Sequence, residues 1–184
     1  MSYLKNKSLF IMFALSNLTK NMQNLNGDTI LHILCGQTKI DISIDLIKYC
    51  LENGASEYIN TKNNYGDTAL NIICKKAKSK NIINLLLKNG ANINNANNIR
   101  KTPLHLFVSS NFNFKSMETI ILMLMNDADV NHIDNNFDTA LHILCKNTEI
   151  EFDLFYKLIE LFLTKIYDIN TVSYTHLTLP TKRI

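Results

Sequence analysis

The sequence predicts an all-α repeat solenoid, a stack of helix-turn-helix modules joined by short β-hairpin connectors. Three observations carry that expectation. One pattern recurs four times: Gly27-Asp28-Thr29-Ile30-Leu31-His32-Ile33-Leu34-Cys35, Gly66-Asp67-Thr68-Ala69-Leu70-Asn71-Ile72-Ile73-Cys74, Arg100-Lys101-Thr102-Pro103-Leu104-His105-Leu106-Phe107-Val108 and Phe137-Asp138-Thr139-Ala140-Leu141-His142-Ile143-Leu144-Cys145. The pattern threonines lie 39, 34 and 37 residues apart, a period that belongs to stacked modules and not to one globular core. The interval from Asn60 to Thr68, from Asn94 to Thr102 and from Asn131 to Thr139 is always eight residues, so the connector has a fixed build.

Each element follows from local chemistry. Thr29, Thr68, Thr102 and Thr139 can cap a helix by accepting a backbone N–H of its first turn. Pro103 sits where a missing N–H costs nothing, and Asp28, Asp67 and Asp138 place negative charge near the positive helix end. These first helices are short and end near Cys35, Lys76, Val108 and Cys145. A second helix follows in each module, with Ile44, Ile47 and Leu51 sharing a face, then Ile82, Ile83, Leu86 and Leu87, then Ile120, Ile121 and Leu124, then Leu154, Leu158, Leu161 and Phe162. Gly54 and Gly90 stop their helices. An extended step follows at Tyr58-Ile59-Asn60, Asn92-Ile93-Asn94, Asp129-Val130-Asn131 and Asp168-Ile169-Asn170. Asn63-Asn64, Asn97-Asn98 and Asp134-Asn135 then supply turn-forming side chains. Length varies mainly between the two helices, at residues 36–43, 109–116 and 146–152, with an insertion at 56–58.

Four modules therefore fill residues 21–171, as about 21–60, 61–94, 95–131 and 132–171. Residues 1–20 read as an N-terminal capping helix or degenerate repeat. Their apolar run, residues 9–15, is too short to span a bilayer. Residues 172–184 break the style of the chain. The codons GTC TCT TAT ACA CAT CTG ACG CTG CCG ACG, a common transposase-end adapter, encode residues 172–181 in order. This segment is read as a non-native adapter-derived tail, and the natural protein is expected to continue beyond Thr171.

Composition narrows the function. A net charge of +3 is too small and scattered to argue for nucleic acid or an anionic membrane. Cys35, Cys74 and Cys145 occupy one position of the repeat, which reads as packing in a reducing compartment and not as a disulfide framework. His32 with Cys35, and His142 with Cys145, lie one helical turn apart, but two ligands make no zinc site. No module carries a nucleophile with an orienting base, and there is no Gly-rich phosphate loop. No catalytic residue, metal or cofactor is expected.

Helix, turn, helix and connector, with Thr-Pro-Leu-His at a helix start, resemble the ankyrin repeat family over about residues 21–170. The best stretches are Asp28-Thr29-Ile30-Leu31-His32, Lys101-Thr102-Pro103-Leu104-His105, Asp138-Thr139-Ala140-Leu141-His142 and the run from Leu85 to Asn94. Three departures stand out. Leu34, Ile73, Phe107 and Leu144 occupy a place where the family usually has a small Ala. Arg100 and Phe137 replace the connector glycine kept at Gly27 and Gly66. Ile166 and Tyr167 stand where Gly and Ala are expected.

The resemblance implies a non-catalytic scaffold that binds a protein through hairpin tips and the concave helix face. The expected contacts are Lys62, Asn63, Asn64 and Tyr65; then Asn97, Asn98, Ile99 and Arg100; then His132, Asp134, Asn135 and Phe137. Tyr65 and Phe137 are the expected anchors. Phe112 and Phe114 are further exposed candidates, whereas Glu149 and Glu151 read as a solvated loop. Asn131 and Asn170 resemble family substrates of asparaginyl hydroxylases. A monomer in the cytoplasm is expected, in the host cytoplasm if the source is a virus or intracellular bacterium. Asn-, Ile- and Lys-rich usage with long loops looks like ankyrin proteins of large DNA viruses, poxviruses above all, where such repeats select targets for a ubiquitin ligase. The alternative is the regulatory or targeting ankyrin domain of a larger enzyme or channel. The face of Leu158, Phe162 and Leu163 is expected to be partly bare, and the last helix to fray first.

Overall fold

In a computed structural model, residues 22–37, 40–76, 79–110, 116–147, 150 and 152–169 are described, without the side chains of 40–43 and 166–169. The expectations for residues 1–20, Phe112, Phe114, Glu149, Glu151, Asn170 and 172–184 lie outside the described residues. Four helix pairs form the described chain: α1 (Ile30–Gly36) and α2 (Ile40–Glu52), α3 (Ala69–Lys75) and α4 (Lys80–Lys88), α5 (Pro103–Val108) and α6 (Ser116–Met125), α7 (Ala140–Lys146) and α8 (Phe152–Ile169). A 3-10 turn (Ala55–Tyr58) follows α2.

The short helices stack in one row, α1 on α3, α3 on α5 and α5 on α7; the longer ones stack in a second row, α2 on α4, α4 on α6 and α6 on α8. Leu31, Leu70 and Leu104 are buried along the first row, and Leu141 at its end is half-buried. The bulky Leu34, Ile73, Phe107 and Leu144 are all accommodated inside the core. Three of the four short helices start as their sequence dictates. Thr68, Thr102 and Thr139 are extended, and their hydroxyls accept the N–H of Asn71, His105 and His142 at 3.3, 3.5 and 3.3 Å.

Three expectations are corrected. No strand occurs among the described residues, so the connectors are tight turns and not β-hairpins. A ladder needs facing extended residues that exchange main-chain bonds. Here the connector closes on itself: Asn63 N–H donates to Asp67 O (2.9 Å) and Gly66 N–H to Asn63 O (2.8 Å). The same pair of bonds recurs from Asn24, Asn97 and Asp134. Successive turns are then joined by single main-chain bonds, Asn64 N–H to Asn26 O (3.0 Å), Asn98 N–H to Tyr65 O (3.1 Å) and Asn135 N–H to Ile99 O (3.2 Å).

The expected extended steps are turns as well. Asn92 and Asp129 fold back so that Oδ1 of each accepts the N–H of Asn94 and Asn131, both at 2.9 Å. At the fourth site there is no step at all, because α8 runs on through Asp168 and Ile169. With Ile166 and Tyr167 in place of Gly-Ala, nothing offers the left-handed stop. Finally, Leu158 and Phe162 are buried in the core, and of that expected bare face only Leu163 is exposed. The surface left open is instead Phe152 and Tyr156 on α8, with His142 and Cys145 on α7.

Candidate functional site

The four turns are built by one kind of side chain, an Asn in three and an Asp in the fourth. Asn24, Asn63, Asn97 and Asp134 each aim Oδ1 into their own turn, where it accepts two main-chain N–H groups, two and four residues on. The distances are 2.9 and 2.8 Å, 3.0 and 3.0 Å, 3.2 and 2.9 Å, and 2.8 and 3.1 Å. Such side chains mimic a backbone turn. The remaining polar atoms link one turn to the one before. Asn63 Nδ2 donates to Asp28 Oδ1 and Asn97 Nδ2 to Asp67 Oδ1, both at 2.8 Å. At the third joint the polarity is exchanged, and Lys101 Nζ lies 3.8 Å from Asp134 Oδ2.

The twelve residues expected from sequence divide accordingly. Asn63, Asn97 and Asp134 turn inward and hold the turns; Asp134 is only 1 % exposed. Lys62 is exposed and donates to Ala96 O at 2.7 Å. Asn64 and Asn98 are exposed, with amides that donate to Leu25 O and Asn64 O, both at 3.0 Å. Asn135 and Arg100 are exposed. His132 is half-buried, its ring edge-on to His105 at 5.8 Å. Tyr65, Ile99 and Phe137 project from the tips at 65, 51 and 77 % exposure. Leu25, which the sequence reading did not single out, projects from the first turn at 99 %. Its signal was available, since Leu25 stands four residues before Thr29 as Asn64 stands before Thr68.

Beneath the tips, the pattern histidines join the modules. His32 Nδ1 accepts the Thr29 N–H (3.1 Å), and Nε2 reaches Asp67 O at 2.9 Å. A carbonyl only accepts, so Nε2 carries the proton and the ring is neutral. His105 Nε2 reaches Asp138 O at 3.1 Å in the same way. Burial holds both imidazoles below their usual pKa. Asn71 does the same work without titrating: Oδ1 accepts the Thr68 N–H (3.1 Å) and Nδ2 donates to Asn95 O (3.1 Å). Burial also pushes the thiols up, Cys35 to about 12 and Cys50 to about 11, away from the reactive thiolate. Among the described residues no cluster of three or more His, Cys, Asp and Glu is placed to hold a metal, and no helix is long and apolar enough to cross a membrane.

A family model described as ankyrin repeats (3 copies) matches residues 1–97 and again 78–173. The chain belongs to the ankyrin-repeat family. No curated protein matches it. In this ankyrin-repeat chain the connector glycine is a geometric requirement at Gly66. Its φ is +75°, and a Cβ there would lie 2.6 Å from the backbone nitrogen of Asn98. Arg100 and Phe137 hold the same place with φ of 59° and 61°, a conformation that disfavours side chains. The tips of the third and fourth ankyrin turns are therefore strained, and the fourth carries its aromatic ring at the strained residue itself.

Proposed function

We propose that this ankyrin-repeat chain is a scaffold that binds a protein partner along the row of turns. A protein-interaction role is the one typical of ankyrin repeats. One observation supports this surface above others: each of the four turns holds out one large apolar side chain, Leu25, Tyr65, Ile99 and Phe137. A row of apolar anchors rimmed by the exposed amides of Asn64, Asn98 and Asn135 has the composition of an interface centre with a polar edge. Backbone strain at Arg100 and Phe137 fits the same reading, since strained residues concentrate where function holds them. Binding of this kind needs no reaction by the scaffold itself; an adaptor acts by placing its partner.

The test is capture of partner proteins by the immobilised full chain, compared with Tyr65→Ala/Phe137→Ala and with Met125→Ala, which removes an exposed apolar side chain from α6. Captured proteins should fall at least about tenfold with the double change, as for loss of two interface anchors, and persist with Met125→Ala. Equal capture by all three proteins would refute the proposal.

A further inference from the structure

The three joints between modules differ in one respect. The first is tied by His32 and the second by Asn71, with Asn95 supplying its carbonyl. The third contains two imidazoles. His105, on α5, reaches Asp138 O, and its ring centroid lies 5.8 Å from that of His132, edge to face. His132 stands where the preceding module has Asn95. Its Nε2 is buried with no hydrogen-bond partner.

Protonating His105 would leave its Nε2–H donating to Asp138 O but upset its other contacts. Its Nδ1 lies 2.7 Å from the Thr102 hydroxyl. While the ring is neutral with Nε2–H, that hydroxyl donates and Nδ1 accepts. A second ring proton forces the hydroxyl to reverse, at the atom that caps α5. It also places a positive charge beside the His132 ring in a buried joint. The charged groups nearby are largely engaged already. Asp134 pairs with Lys101 at 3.8 Å, and Asp138 Oδ2 accepts from Lys146 on α7 at 2.6 Å. From α3 the equivalent group is the neutral Asn71.

We propose that the joint between the third and fourth modules is a pH-sensitive hinge, closed while His105 is neutral and loosened when acid charges it beside the His132 ring. Burial, the largest influence on His105, lowers its pKa, and the neighbouring His132 ring acts in the same direction; the Asp138 carbonyl and the Asp134 carboxylate oppose it. The sign follows. A histidine held neutral in the fold gives its full stabilisation above the ordinary value of 6.5. That stabilisation is lost as pH falls from there toward the lowered folded value. One pH unit below the ordinary value, the opening equilibrium of the joint shifts by up to about tenfold. Module two, joined to module three through Asn71 and Asn95, provides an internal reference once His32, the buried imidazole that ties it to module one, is also replaced by Asn.

The experiment is native-state hydrogen exchange at pH 7.5 and 5.5 on the full chain carrying His32→Asn, which copies Asn71 at the first joint, corrected for intrinsic rates and read as a ratio. The ratio is α7 and α8 amides to α3 and α4 amides. With His105 and His132 in place, that ratio should rise several-fold on acidification. His105→Asn/His132→Asn copies the second joint's Asn71/Asn95 pair, and its ratio should not change with pH. A ratio independent of pH with His105 and His132 in place overturns the proposal. A double variant that folds and still loosens in acid overturns it equally.

Discussion

Wherever the described residues of the first two modules turn left-handed they are glycine, at Gly27, Gly54, Gly66 and Gly90, with φ between 75° and 96°. The last two modules place Arg100, Asp127 and Phe137 at corresponding points, with φ of 59°, 59° and 61°. The contacts change in step. Between the first three turns, each main-chain link is doubled by an Asn64 or Asn98 amide and each rung is a 2.8 Å Asn–Asp bond. At the third joint Asn135 keeps its main-chain link, now 3.2 Å, and the rung is a 3.8 Å Lys–Asp pair. One fold thus tolerates two solutions, close-packed turns built on glycine and turns that carry a side chain at a left-handed residue at a cost.

The largest test of that difference is Gly66→Ala. A new Cβ would lie 2.3 Å from Asn98 Oδ1 and 2.6 Å from its backbone nitrogen. The amide can swing away but the backbone cannot, so turn three must move. Left-handed strain, overpacking and a lost hydrogen bond together should cost about 3 kcal/mol, read as a lower denaturant midpoint. A cost below about 1 kcal/mol would mean that the close-packed turn is not close-packed.

Smaller and opposite in sign are Arg100→Gly and Phe137→Gly. Left-handed backbone costs a side chain about 1–2 kcal/mol, and glycine gives back about 0.5–1 kcal/mol through the freer unfolded chain. Each should stabilise by about 0.5–1 kcal/mol in equilibrium unfolding, while Phe137→Gly should weaken partner capture. Gains in both stability and capture would separate the strain from binding.

Much of this was readable beforehand, because repetition exposes positions that chemistry constrains. The threonine caps, the paired helices, the tip residues Tyr65, Ile99 and Phe137, and the two missing connector glycines followed from four aligned copies. The rest was hidden for physical reasons. Asn and Asp mark turns in any fold, so sequence alone did not show that Asn63 and Asp134 would satisfy the turns from inside and leave no ladder to form. Asp127 tolerates the left-handed region better than most residues and carries no motif. The absence of a glycine stop at Ile166 was visible, but the continuation of α8 was masked by an Asp168-Ile169-Asn170 step like those of other modules. Asparagine usage suggested only the source, yet Asn60 and Asn94 each bond the loop of the following module through both amide atoms, from 2.8 to 2.9 Å.

If the modules are held by their neighbours and the glycine-built half is the firmer, residue-resolved hydrogen exchange at neutral pH will show it directly. Amides of α3 and α4 should exchange slowest and those of α7 and α8 fastest, with α5 and α6 between them. Slowest exchange in α7 and α8, or one uniform rate across all eight helices, would contradict the account.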